Sequence, residues 1–122
     1  MELMWMTMED ARKEQKAQTP VIVPFGTVEQ HGPHLPLSTD TLQASAVASM
    51  AAQKVKAIVA PPVHYGQCSS TRNHPGTVTL SADTLRSVAR DLITSLSGHG
   101  FTKIILFSGH AGRRSADRPG AD

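Results

Sequence analysis

Three short apolar runs, separated by helical patterns, constrain the fold of this chain most strongly. The runs PVIVPF (20–25), KAIVAPP (56–62) and TKIILF (102–107) are typical of buried strands. Ala-rich and amphipathic helical patterns occupy 38–55 and 82–98 between them. Strands that alternate with helices form βαβ units, so the sequence predicts an α/β fold with a mainly parallel sheet.

Further local patterns predict the remaining elements. Residues 7–17 are typical of a short exposed helix with Thr7 at its N-cap, and Ser81 is suited to cap the helix that follows it. Residues 76–80 are compatible with a short edge strand. Residues 61–76 form a long irregular loop, and loops of that length in compact domains are usually functional or disordered.

Composition argues against several classes of protein. The single cysteine, Cys68, cannot form an intrachain disulfide, which favours a reducing compartment, and we expect a cytoplasmic protein. A formal net charge of +2 without a basic stripe argues against nucleic-acid binding. No apolar run approaches the roughly 18 residues of a membrane span. Residues 1–16 lack the apolar stretch of a signal peptide.

Polar residues with metal-binding side chains follow each predicted strand. The loops that follow parallel strands share one edge of the sheet, because right-handed crossovers return the chain to the same end. Together these loops and the adjoining helix start carry Glu29, His31, His34, Asp40, His64 and His110. The sequence therefore predicts that most of the histidines gather at one edge.

The segment VEQHGPHLPLSTD (28–40) concentrates the groups that divalent metals prefer, carboxylate oxygen and imidazole nitrogen. Glu29 and His31 are two residues apart and point to the same side of an extended segment. Asp40 begins the next helix, where the helix dipole favours a carboxylate. His110 would approach from the neighbouring strand end. Two metals held in this way can polarise a carbonyl and activate water.

Each candidate also has a structural alternative. The acidic and imidazole groups of 28–40 are equally compatible with a hydrogen-bonding set on a solvated loop, and His110 with a turn cap. His34 fits a supporting role better than direct ligation. Cys68 is expected to be inert, because no second cysteine or pairing base is evident. In the long loop, the candidates for substrate contact are His64, Tyr65, Ser69 and His74, of which the two histidines are as readily ordinary loop residues.

Four segments resemble the creatininase (creatinine amidohydrolase) family in their order and intervals: PFGTVEQHGPHLPLSTD, PPVHYG, HPGTVTL and KIILFSGHAG. The resemblance runs from about Pro20 to Gly112. It implies a three-layer α/β/α sandwich and two divalent metal ions, zinc in the first place, with manganese or iron as alternatives. The implied metal ligands, with Asp40 as the bridging one, are Glu29, His31, Asp40 and His110. The resemblance leaves the catalytic residues open.

The resemblance also implies a function. It indicates a metal-dependent amidohydrolase that hydrolyses a C–N bond in a small cyclic or linear amide and assembles as a homo-oligomer. Family members are about twice as long, and in creatininase a glutamate two residues after the ligand histidine binds metal, where this chain has Gly112. We therefore expect a truncated or frame-shifted product, with a partial creatininase-like domain over 1–112 and an unpatterned tail over 113–122.

Two alternatives stay open at this point. The chain is also compatible with a non-catalytic remnant that binds metal only weakly or structurally, since four ligands are few for two metals. It is equally compatible with a half-domain that another chain completes.

Overall fold

A computed structural model describes residues 1–111 of the chain, so Gly112 and the tail expected over 113–122 lie outside the described residues. The strands are β1 (Val21–Phe25), β2 (Ile58–Val59) and β3 (Ile104–Ser108). The helices are α1 (Met8–Lys16), α2 (Thr39–Lys54) and α3 (Ala82–Gly98), with single 3-10 turns at Leu3–Trp5 and Ser69–Thr71. None of the helices described is long and apolar enough to cross a membrane.

The sheet is parallel throughout, in the order β2-β1-β3. Val21 of the central strand pairs with Ile58 on one side and with Ile104 on the other. The first four residues of β1 are buried, because neighbouring strands cover both edges and helices cover both faces. The mainly parallel sheet predicted from the three apolar runs is therefore confirmed.

One face of the sheet packs against α2. Ile22 and Val59 form a buried cluster with Ala48 of the helix, and the half-buried Phe107 packs on the same cluster. The small alanine side chains of α2 let its axis lie close to the strands. Close packing on the sheet thus explains the buried alanines of this helix, Ala44 and Ala48.

The opposite face forms the larger core. Val21, Val23 and Ile58 point to this side because successive side chains of a strand alternate between faces. The half-buried side chains that pack on them from α3 and the N-terminal segment are Leu92, Leu96, Leu3 and Met6. Helical layers on both faces make the three-layer α/β/α sandwich that the resemblance implied, with a sheet of three strands within residues 1–111.

Both predicted helix caps are present. The Thr7 hydroxyl accepts a hydrogen bond from the Asp10 backbone N–H, while the Asp10 carboxylate accepts one from the Thr7 backbone N–H. The Ser81 hydroxyl accepts from the backbone N–H of Thr84. Each cap satisfies N–H groups that have no partner within the helix, which places the helix start at the residue expected.

The edge strand expected at 76–80 does not form. Val78 makes an isolated antiparallel bridge with Val28, and Thr79 makes an isolated parallel bridge with Gly66. Both partners lie in loops, so no strand ladder extends from them. These two bridges instead tie the segment to the loops that follow β1 and β2.

Candidate metal centre

The carboxyl ends of β1 and β3 meet the first turn of α2 at one edge of the sheet, and two glycines permit this approach. A Cβ atom on Gly26 would lie 1.9 Å from Oγ1 of Thr41, and one on Gly109 would lie 2.3 Å from the main-chain oxygen of Asp40. Any side chain at either position would push the helix away. The backbone N–H of Gly109 donates to the carbonyl oxygen of Phe25 at 2.9 Å, which holds the two strand ends together.

Asp40 lies at the centre of the site. It is buried in the first turn of α2, where the helix dipole stabilises a carboxylate. Its Oδ1 lies 3.0 Å from Nε2 of His31, and its Oδ2 lies 2.9 Å from Nδ1 of His110. The hydroxyl of Thr27 donates to Oδ2 at 2.7 Å. Each carboxylate oxygen of Asp40 therefore faces an imidazole.

Glu29 places a second carboxylate beside the first. It is 7% exposed, and its Oε1 lies 3.3 Å from Nδ1 of His110. The hydroxyl of Thr71 donates to Oε2 at 2.6 Å, which orients the carboxylate from the side of the long loop. Two buried carboxylates so close to one imidazole need positive charge nearby, because burying an uncompensated charge is costly.

His31 is held in one orientation by the backbone. Its Nδ1 lies 3.0 Å from the carbonyl oxygen of Glu29, and this hydrogen bond is the largest of the effects that raise the pKa of the imidazole. Burial opposes the rise in pKa, while the Asp40 carboxylate adds to it. When Nδ1 carries the hydrogen that it donates to the carbonyl, Nε2 is the nitrogen available to an ion.

His110 carries a buried nitrogen without a partner. Its Nδ1 faces the two carboxylates, but its Nε2 is buried and has no hydrogen-bond partner among residues 1–111. A buried polar atom left unpaired costs roughly 1–3 kcal/mol, which native proteins usually avoid. The cluster therefore contains a buried imidazole nitrogen that no described protein atom contacts by a hydrogen bond, as expected for a group of residues that binds an ion.

Cys68 lies in the same cluster, next to residues that are distant in sequence. Its side chain is buried, and burial together with the nearby carboxylates of Glu29 and Asp40 raises the pKa of the thiol to about 11. From the sequence Cys68 had no evident neighbour. The only signal that pointed to it was its position in a loop directly after a predicted strand, which it shares with the other candidates.

Two overlapping groups of donors are suited to a divalent ion. Their members are Glu29, His31 and Asp40 in one group, and Glu29, Cys68 and His110 in the other. Within each group the ligand atoms lie within 4.8 Å of one another. Carboxylate, imidazole and thiolate are the ligands that zinc and related metals take. The fold thus brings together all four residues that were predicted as metal ligands and adds a sulfur atom.

The four residues predicted to contact substrate lie on the surface of the long loop. All of them are exposed, and none belongs to either donor group: His64, Tyr65, Ser69 and His74. His34 is exposed as well and lies outside both groups. Besides Cys68, the residue of this loop that reaches the cluster is Thr71, through its hydrogen bond to Glu29. A threonine in an irregular loop carries no sequence pattern that would single it out.

Comparison with protein families matches residues 4–118 to the family Creatininase, described as creatinine amidohydrolase. The chain is 37% identical over 95 residues to a creatinine amidohydrolase of Pseudomonas putida, with 74% of this chain and 36% of the relative covered. It is 39% identical over 102 residues to a mycofactocin precursor peptide peptidase of Mycolicibacterium smegmatis, with 79% and 41% covered.

Solved structures of creatininase share the fold. A manganese form gives a TM-score of 0.88 at 29% identity, covering 91% of this chain and 46% of that one. A mutant of the Zn-Zn type gives 0.86 at 30% identity, covering 89% and 45%. The chain spans less than half the length of these relatives. Since the family match covers most of the chain and the fold agrees, the chain belongs to the creatininase (creatinine amidohydrolase) family.

Proposed function

We propose that this protein is a metal-dependent amidohydrolase that hydrolyses a C–N bond in a small cyclic or linear amide. The observation that carries the proposal is the buried cluster in which Asp40 faces His31 with one oxygen and His110 with the other. Membership of the creatininase family and its manganese and zinc structures support the same activity.

The proposed cofactor is a pair of divalent ions, in the first place zinc, with manganese or iron as alternatives. The residues that would hold them are Glu29, His31, Asp40 and His110, with Asp40 bridging. When bound, such ions supply a Lewis acid for the amide carbonyl and the means to activate water near neutral pH.

The surrounding residues hold these ligands in place before anything binds. Thr27 fixes the Asp40 carboxylate, and Thr71 fixes that of Glu29. The backbone carbonyl beside His31 fixes its ring. Ligands that are already oriented need little rearrangement during the reaction, and this is the main way a protein contributes to such a site.

The substrate would approach from the side of the long loop. Thr71 touches Glu29, so a small amide at the cluster would lie beside the exposed groups of the same loop. We propose that the contacts to it come from His64, Tyr65, Ser69 and His74. The full proposal includes a homo-oligomer in the cytoplasm, in keeping with the single free cysteine.

A half-domain completed by another chain is the second candidate. The chain spans less than half the length of its relatives. Among the described strands, β3 has a neighbour on one side only, and its Ile105 is 49% exposed. An apolar side chain on an edge strand is a surface that a partner chain would cover. A stable monomer that hydrolyses amides would exclude this candidate.

The test is an amidase assay on the full chain loaded with zinc or manganese, using creatinine and short peptides as probes. Asp40→Asn keeps the shape of the side chain but removes the charge, and we expect it to abolish metal-dependent hydrolysis. The matched control is Asp83→Asn, because Asp83 is exposed and its one ion pair within residues 1–111 is with the neighbouring Arg86. Metal bound without any hydrolysis would support the non-catalytic alternative, and equal activity of Asp40→Asn would refute the proposal.

A further inference from the structure

We propose that Cys68 is itself a metal ligand, which completes a second donor group with Glu29 and His110. The inference rests on the proposed metal centre and deepens it, because it assigns a sulfur ligand to one of the two ions. Neither the four-ligand set that the resemblance implied nor the proposed mechanism uses this residue.

The geometry of the group supports this role. Cys68 is 1% exposed, and its sulfur lies within 4.8 Å of the ligand atoms of Glu29 and His110. The three residues come from the loops that follow three different strands. Donors from separate segments that converge on one buried point are the arrangement expected for an ion site.

The backbone of Cys68 is anchored by hydrogen bonds beside Glu29. Its backbone N–H donates to the hydroxyl of Thr79 at 2.8 Å, and its carbonyl oxygen accepts from the backbone N–H of Thr71 at 3.2 Å. The hydroxyl of the same Thr71 donates to the Glu29 carboxylate. One short turn therefore contacts both the backbone of Cys68 and the carboxylate of Glu29.

One buried atom of His110 lacks a partner, and this is a separate observation. Nε2 of His110 has no hydrogen-bond partner among the described residues. The sulfur of Cys68 lies 3.9 Å from the carbonyl oxygen of Gly66, a weak contact for a thiol, and it also neighbours the side chains of Glu29 and Thr27. A bound cation would give Nε2 the interaction that the protein atoms do not provide.

Cys68 would also supply a ligand where the predicted set has few. Four residues are few for two ions, and Gly112, two residues after His110, offers no side chain. Cys68 raises the number of donor residues in the described cluster to five. The added donor is sulfur, and soft thiolate ligands favour zinc over manganese.

Ligation is a simple exchange at the sulfur atom. The S–H bond of Cys68 breaks, a sulfur–metal bond forms, and the proton leaves to solvent. No oxidant or reductant is required. In the metal-free chain the thiol stays protonated at neutral pH, since burial and the Glu29 carboxylate hold its pKa at about 11. Metal binding therefore releases a proton from this residue.

Cobalt(II) in place of zinc tests the inference by absorption spectroscopy on the full chain. Thiolate ligation gives a charge-transfer band in the near ultraviolet, while the visible d–d bands report that cobalt is bound at all. Because the chain has one cysteine, a thiolate band can arise only from Cys68. We expect the band in the wild type, its loss in Cys68→Ser, and no change in Ser70→Ala, an exposed control in the same loop.

The outcomes separate the two proposals. Visible cobalt bands without a thiolate band in the wild type would overturn the role of Cys68 and leave the metal centre standing. The absence of all cobalt bands would overturn the metal centre and this inference with it. The wild-type spectrum decides the matter even if Cys68→Ser fails to fold.

Discussion

The loops that follow β1 and β2 are alike in composition but differ in what they bury. Both are rich in histidine, proline and small polar residues. The first loop, 26–38, turns Glu29 and His31 toward Asp40. The second loop, 60–81, leaves its histidines exposed and turns Cys68 inward instead. Residue type alone therefore does not identify a site, because the contacts around each loop decide which side chains it buries.

The largest effect is expected at Gly109, where the end of β3 meets the end of β1 and the first turn of α2. A valine there would place Cβ 2.3 Å from the main-chain oxygen of Asp40, so the end of β3 must move away from α2. We expect Gly109→Val to lose metal binding and to lower the midpoint of thermal unfolding by several degrees. The matched control is Gly98→Ala, where a Cβ would meet nothing within 4 Å. Retention of metal in Gly109→Val would show that this junction does not position the site.

The link between the two loops is tested next, at Thr71. Thr71→Val keeps the shape of the side chain but removes the hydroxyl that donates to Glu29. Loss of a residue that orients a ligand typically costs about 10–100-fold in metal affinity. We expect zinc affinity, measured by competition with a chelator, to fall within that range. Thr94→Val, on the exposed side of α3, serves as the control. Equal affinity in both variants would contradict the account.

A smaller effect concerns the pH dependence of the first loop in the metal-free chain. The pKa of His31 is raised above its ordinary value of 6.5, chiefly by the hydrogen bond to the Glu29 carbonyl. The folded state therefore binds the proton more tightly than the unfolded chain. This stabilisation is complete below about pH 6.5 and is lost as pH rises through the higher pKa of the folded state.

The measurement is the urea midpoint of wild type and His31→Gln across that range, with chelator present. We expect the wild type to lose more stability than the variant as pH rises from mildly acidic to mildly basic. Parallel curves for the two proteins would show that the proton on His31 contributes nothing.

The smallest effect on metal binding is expected for the exposed histidines of the second loop. His64→Ala and His74→Ala should leave metal affinity unchanged, since neither side chain reaches a donor group. If these residues contact substrate as proposed, KM rises in an amidase assay while metal content stays constant. Loss of metal in either variant would show that the exposed histidines of the second loop also contribute to metal binding, which contradicts the account.

Much of the fold was predictable because its elements carry local patterns. A few consecutive residues are enough to predict the apolar strands, the Ala-rich helix and the helix caps at Thr7 and Ser81. The segment 76–80 was predicted as a strand and is not one. Its Val78 and Thr79 pair with loop residues rather than with a strand, and no periodicity in the sequence reveals that.

The candidate site was predictable in part for a topological reason. Loops that follow parallel strands share an edge, so Glu29 and His110 were expected to meet, as they do. Cys68 and Thr71 were not assigned to the site, because irregular contacts between loops bring them there. Such contacts depend on the whole fold, and a single sequence without periodic signal does not disclose them.

Metal stoichiometry tests the central claim most directly. Elemental mass spectrometry on the freshly purified full chain, without added metal, would count the ions that the cluster around Asp40 holds. A two-metal site predicts roughly two ions per chain, zinc foremost, and their loss in Asp40→Asn with the fold intact by circular dichroism. A folded wild-type chain that carries fewer than two, even after equilibration with zinc, would contradict the account.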